Sequence, residues 1–302
     1  MINVGVCLRY AKKKTCYWLN NGLFKHSDKV KYRNVVLEYP LEHQAPYDII
    51  VCKLVDLFTQ LYEATSDSYF DKLHKFCSDK NITLLDGREG VSHLLFRKTI
   101  DDVWCEMFEK EEVKAVLSKY GKVARRPRTL LLKASENTGK EFAQKLLEEE
   151  KLDYPIIIKS NKAFHTKFSH AKYFINDSDG FDEMYKNTEF LKEDLEIEEL
   201  IPHNKDKLIK IHTIGDYATF WRIDQSIPEG FFDENAFIIH KSDVETTPQE
   251  HESQCTKVTK EMESEDRFNI NFIQEISNQV VKHFGISFMG FDFVISEKDD
   301  TL

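Results

Sequence analysis

Short β-rich runs alternate along this chain with segments of helical periodicity, and that alternation narrows the folds open to it. Asn3–Leu8, Asn34–Leu37 and Tyr47–Lys53 read as strands. A segment from Ser66 to Lys80 puts Phe70, Leu73, Phe76 and Cys77 on one helical face, and Ile82–Leu85 reads as a further strand. Strands interleaved with amphipathic helices specify α/β layers, so residues 1–93 predict a small open sheet with helices.

The pattern repeats beyond that point. Thr99 is placed to cap one long helix through Ile100, Val103, Trp104, Met107 and Phe108, with Gly121 as its stop. After the loop Arg125-Arg126-Pro127-Arg128, Thr129–Lys133 reads as a strand, Glu141–Glu150 as a helix and Tyr154–Lys159 as an almost wholly apolar strand. Strands at Glu196–Ile201, Lys207–Ile214 and Tyr217–Arg222 lead into residues 233–266, where ten acids meet three lysines and the chain reads as a mobile loop or an insertion. Asn269–Phe284 has a helical pattern that Gly285 ends before a strand at Ser287–Ile295.

With 302 residues, 41% hydrophobic and 31% charged, the chain has the composition of a globular protein of about two domains, not a disordered or collagenous one. Its net charge of −10 argues against nucleic acid and anionic membranes as partners. Residues 1–33 nevertheless hold eight Lys or Arg against the single acid Asp28, which suits either a solvated face or a local contact with an anion. The six cysteines form no C-x-x-C pair and no regular spacing, so reduced thiols in cytosol, or in the nucleus, are expected. The apolar Met1–Leu8 precedes its basic residues instead of following them, and no run approaches the ~18 apolar residues of a membrane span. Neither a signal peptide nor an anchor is expected.

Several residues suit phosphate chemistry. Asp292 lies inside the apolar run Gly290–Ile295, where an unpaired buried charge is costly, so it calls for a cation; Mg2+ held jointly with nucleotide phosphates is one answer, a surface-facing Asp at a sheet edge the other. Lys159 ends its apolar strand, where an ammonium can meet a phosphate. His165, Lys167, Ser169 and His170 gather donors in one loop, and Lys210 and Arg222 fall on paired strands as a candidate phosphate clamp. No P-loop, G-x-G-x-x-G, G-x-S-x-G or H-E-x-x-H is present.

Taken in order, these segments resemble the inositol 1,3,4-trisphosphate 5/6-kinase (inositol-tetrakisphosphate 1-kinase) family, which has an ATP-grasp fold. The likeness runs from Val4-Gly5 and the lysines that follow through Tyr47–Asp56, Leu85-Asp86, Arg97, Tyr154–Lys159, His165–His170, Ile201–Asn204, Lys210–Asp216, Arg222, Ser226–Pro228 and Gly285–Asp292. It implies an N-terminal Rossmann-like α/β domain over 1–93 and an ATP-grasp domain over 94–302, with a lid at about 125–200 and an acidic loop at about 229–268. By resemblance, Lys12 or Lys13 contacts the inositol phosphate, and Arg97 and Lys159 contact the ATP phosphates. His165 and Lys210 grip the substrate as catalytic groups. Glu198, Glu199, Leu200 and Ile201 open the hinge beside the nucleotide that runs to Lys210, Ser226 is a further ATP contact, and Asp292 is the magnesium ligand.

An inositol trisphosphate carries roughly −4.5 to −6 charge, which calls for such a set of cations. The implied reaction is Mg2+- and ATP-dependent phosphorylation of inositol 1,3,4-trisphosphate and inositol tetrakisphosphate by a cytoplasmic monomer. The histidine loop and the His203–Lys210 segment each carry one residue more than the family pattern. The family also continues past its strand-borne Asp with an Asp-x-Asn strand that supplies further metal ligands; the 302 residues stop before it, so a truncated C-terminal strand and helix are expected, with a catalytically impaired binder as the alternative. Another ATP-grasp enzyme, such as a carboxylate–amine ligase, suits the lysines and histidines less well.

Overall fold

A computed structural model describes residues 1–7, 28–44, 46–52, 69–86, 88–163, 168, 171–201, 208–215, 217–223, 236–239 and 270–294. The chain divides into two units, one of Met1–Ser92 with Phe284–Phe288, the other of His93–His283 with Met289–Leu302.

The first unit is built on a parallel sheet in the order β2-β1-β3-β4, formed by β1 (Ile2–Cys7), β2 (Val30–Asn34), β3 (Ile49–Cys52) and β4 (Thr83–Leu85). Val4, Val6, Ile50 and Cys52 are buried in it, and α1 (Tyr69–Lys80) buries Leu73, Phe76 and Cys77, three of the four residues expected on its apolar face. The strand expected at Asn34–Leu37 lies earlier, at Val30–Asn34. The Gln44 side chain takes both the amide of Val36 (3.0 Å) and its carbonyl (2.7 Å), so this residue has nothing left to offer a ladder. Asp86 accepts the amides of Ser287 (2.6 Å) and Phe288 (3.3 Å), and α2 (Arg88–His93) packs so closely that a Cβ on Gly90 would strike the Phe284 and Gly285 carbonyls.

The second unit opens with two helices where one was expected: α3 (Arg97–Phe108) and α4 (Glu111–Lys119). The break falls at Glu109 and Lys110, and the acids Glu111 and Glu112 then occupy the first turn of α4, where the helix dipole favours them. Thr99 does not cap; α3 starts at Arg97, whose amide bonds the Asn161 carbonyl (2.8 Å) while the Lys98 amide bonds Asn161 Oδ1 (3.0 Å). Gly121, at φ +61°, ends the pair as expected.

An antiparallel sheet follows in the order β11-β7-β6-β8-β5: β5 (Thr129–Leu132), β6 (Ile156–Ser160), β7 (Lys172–Ile175), β8 (Leu195–Glu199) and β11 (Ala236–Ile239). Sequence periodicity missed β7, and it assigned β11 to the acidic loop, the rest of which lies outside the described residues. One face of this sheet is apolar. Leu132, Ile156, Ile158, Tyr173, Ile175, Leu195 and Ile197 pack there with Ala143 and Leu147 of α5 (Lys140–Glu150) and Phe181 and Met184 of α6 (Gly180–Tyr185). A third sheet, β10-β9-β12, joins β9 (Leu208–Ile214) and β10 (Tyr217–Ile223) to β12 (Phe288–Val294). The remaining helix, α7 (Ile270–Phe284), buries Phe272, Ile273, Ile276 and Val280; its Glu275 accepts from Tyr120 (2.8 Å) and pairs with Lys119 (2.5 Å).

Candidate functional site

The second face of the five-stranded sheet is charged. Residues opposite one another on neighbouring strands share a face, and the register sets Lys172 of β7 opposite Lys159 of β6, and Lys159 opposite Glu196 of β8. Glu198, two residues on, joins them because strand side chains alternate. Two lysines and two glutamates thus form a patch on the reverse of a hydrophobic sheet.

Lys159 is not the free strand-end ammonium that the sequence suggests. It lies inside β6, is 9% exposed, and its Nζ stands 2.6 Å from a carboxylate oxygen of Glu198. Burial alone would raise the Glu198 carboxyl, but Lys159, Arg126 and Lys172 outweigh it and hold the group below the usual carboxylate range. Glu196 goes the other way: burial raises it, Lys159 opposes, Glu198 adds repulsion, and its Oε2 is buried without a hydrogen-bond partner among the described residues.

Arg97 reaches the same place because Asn161, one residue past β6, caps the helix that begins with it; its Nε donates to the Ser160 carbonyl (2.9 Å). Arg126 also feels Glu198, Glu196 and Arg97, is lowered by burial, and pairs with Asp101, itself 3% exposed. Lys172 is exposed to solvent at the start of β7, although protein atoms crowd around it. That crowding, reinforced by Lys159 and Arg97 and opposed by Glu198 and Asp292, brings its ammonium down to about 8.

Asp292 requires a correction. Along β12, Met289, Phe291 and Phe293 are buried whereas Gly290 and Asp292 are exposed, so its carboxylate pays no burial penalty and needs no cation on that account. It stands instead on the open face of the strand, within electrostatic reach of Lys172. Magnesium is commonly held by one or two carboxylates together with substrate phosphates, and an accessible Asp292 fits that mode. Among the described residues no three His, Cys, Asp or Glu gather as a self-sufficient metal site.

Arg97, Lys159, Glu198 and Asp292 are thus brought together. Glu199 faces other work: it takes Arg125 through two bonds (2.9 and 3.1 Å) and the Arg128 amide (3.1 Å). Leu200 is buried and bonds the Pro155 carbonyl (3.1 Å), and Ile201 follows it half-buried. Lys210 pairs with Trp221 through β9 and β10, between the buried Ile209 and Ile211. Lys12, Lys13, His165 and Ser226 lie outside the described residues. Sequence reasoning missed Lys172, Glu196 and Arg126. A signal for Lys172 existed: an apolar run ending in Lys159 and another beginning with Lys172 set the two side by side if the strands pair as a hairpin. A cavity of about 1030 Å³ under the Gly121–Arg128 connection includes Asp101 and Arg126 in its wall but none of Arg97, Lys159 or Lys172, and so lacks the row of cations.

No family profile matches the chain, and no curated protein matches it in sequence. Solved structures do. D-alanyl-alanine synthetase A from Vibrio cholerae superposes with a TM-score of 0.54 at 10% identity, over 98% of this chain and 85% of that one. D-alanine–D-alanine ligase from Bacillus anthracis gives 0.52 at 13%, over 100% and 84%. The VanG D-Ala:D-Ser ligase from Enterococcus faecalis gives 0.51 at 12%, over 99% and 88%. The likeness is one of fold, and the fold is ATP-grasp.

Proposed function

We propose that this chain binds Mg2+ and ATP and transfers the γ-phosphoryl group to an inositol polyphosphate. The observation that carries the reading is the charged reverse face of the five-stranded sheet, where Lys159, fixed by Glu198, stands with Arg97, Lys172 and Asp292. Phosphoryl transfer asks the protein mainly for positioning and charge neutralisation, and a buried lysine already oriented by a carboxylate loses little freedom on meeting a phosphate.

In this reading Arg97 and Lys159 hold the nucleotide phosphates, Glu198–Ile201 border the base, and Ser226 adds a contact. Asp292 would hold magnesium, which when bound neutralises phosphate oxygens. His165, Lys210 and Lys12 or Lys13 orient the substrate so that a ring hydroxyl faces the γ-phosphorus in line; the new O–P bond forms as the bond to ADP breaks, and the hydroxyl proton leaves to solvent. The resemblance in residue order along the sequence supports the inositol polyphosphate as acceptor.

Incubation of the purified chain with Mg-ATP and inositol 1,3,4-trisphosphate, with chromatography for a tetrakisphosphate and calorimetry for each ligand, tests this. Product is expected. Neither binding nor product overturns the reading, and binding without product makes the chain an inositol-phosphate or nucleotide binder. A second reading, ATP-dependent carboxylate–amine ligation, is favoured by the fold shared with the D-alanine ligases. Release of ADP and phosphate with D-alanine, and not with the inositol phosphate, would establish it.

A further inference from the structure

The cross-strand row on the charged face contains an arrangement that the balance of ion pairs does not explain. Lys172 and Lys159 are direct partners in an antiparallel pair, where like charges repel. Lys159 has Glu198 at 2.6 Å. Lys172 makes no salt bridge and no side-chain hydrogen bond among the described residues, and it is the exposed member of the pair. Its other cross-strand neighbour is Ile239, which brings no charge. In the bare folded chain the two ammonium groups repel across the ladder, and an anion received between them would relieve that repulsion.

We infer that Lys172 is a second phosphate-gripping cation, which closes with Lys159 on the phosphate chain of the nucleotide from the neighbouring strand. The inference rests on the reading of the site as an ATP site and adds to it a residue outside the set that the sequence suggested. Its geometry is fixed by secondary structure, since the ladder between β6 and β7 holds both backbones in register, and only the lysine stems need to move. The groups that face Lys172 among the described residues are Lys159 of β6, Glu198 of β8, Arg97 at the start of α3 and Asp292 of β12. The two cations favour loss of its proton and the two carboxylates oppose it; a bound polyphosphate would oppose it too.

The test compares the full chain with Lys172→Met and Lys172→Arg by calorimetry against ATP, tripolyphosphate and inositol 1,3,4-trisphosphate. One charge-assisted contact is worth roughly a ten- to hundredfold change in affinity. Lys172→Met is expected to lose that much for ATP and for tripolyphosphate while keeping its affinity for the inositol phosphate, and Lys172→Arg to keep both. Wild-type affinity for ATP should fall as the pH rises through about 8 and beyond, a step absent from Lys172→Arg. The melting temperature without ligand should not drop in Lys172→Met, since a repulsion is removed. Wild-type binding of ATP with Lys172→Met unchanged overturns the inference and leaves the nucleotide reading standing. Wild-type binding of tripolyphosphate but not ATP overturns the nucleotide reading and with it the assignment of Lys172 to a nucleotide, whatever Lys172→Met does. Loss confined to the inositol phosphate overturns the assignment to the nucleotide, and a wild type that binds none of the three overturns both.

Discussion

Lys159 and Glu196 face each other across β6 and β8, yet their substitution has opposite consequences. Lys159→Met strands Glu198 without its nearest cation, so it should cost about 3–5 kcal/mol at neutral pH, as when one member of a buried pair is removed. That cost should shrink in acid: the Glu198 carboxyl is held below its ordinary value, so the pair's stabilisation is present above the ordinary carboxylate range and lost as pH falls through the depressed value. Glu196 is raised, so the folded protein keeps a proton that the unfolded chain gives up, and stability drains as pH rises from the ordinary carboxylate range through the raised value. Glu196→Gln removes this loss. It should gain about 1 kcal/mol at pH 7–8, roughly 2–4 °C in melting temperature, with no advantage in strong acid. Melting curves of both variants at several pH values check the two signs. At this scale the sequence showed Lys159 at a strand end and Asp292 inside an apolar strand, offered Arg97 only through the family resemblance, and hid which charges stand beside them. Glu198 and Glu196 are two of ten acids in 177–199, and only sheet register tells which of them meets a lysine.

Strand β6 divides two tasks between its faces. Ile158, fully buried in the core beside Ile197 and Tyr173, should cost about 2–5 kcal/mol as Ile158→Ala, with ATP affinity kept by the protein that remains folded. Asn161 lies just past the same strand and caps α3 from 63 residues away in sequence; Asn161→Ala should cost about 1 kcal/mol and weaken ATP binding as well, because the turn it releases carries Arg97. Calorimetry on the variant separates this from a purely structural loss, which would leave affinity intact. Periodicity found α1, α5, α7 and most strands within a few residues. It failed where the determinant is distant: Thr99 is a good local cap, but the α3 terminus is held by Asn161 instead. The break between α3 and α4 carries neither Gly nor Pro, and the acids of the new first turn were its one trace. Strand β7 was missed because its Lys172-Tyr173-Phe174-Ile175 run does not alternate and follows the polar His165–His170 stretch, which read as loop.

The α/β class was legible in the alternation of strand and helix patterns, but the division into a parallel sheet and two further sheets was not, because pairing partners are set by contacts far apart in the chain. The charge row lies wholly in the second unit, so a nucleotide bound there stabilises that unit by mass action. At a hundredfold excess of Mg-ATP over its dissociation constant, scanning calorimetry should show the transition of the second unit raised by roughly 5–10 °C, with a smaller shift in any separate transition of the first. A rise confined to the first unit would place the nucleotide elsewhere. The first unit, for its part, recruits Phe284–Phe288 from late in the sequence, and Asp86 spends its carboxylate on the amides of Ser287 and Phe288. During synthesis, when residue 92 has left the ribosome, those amides do not yet exist. Residues 93–283 must be made first, roughly 10–40 s at about 5–20 residues per second. The unit whose strands are born first therefore stays open until the chain between has been made, with Asp86 and Gly90 waiting for a stretch that emerges only after residue 283.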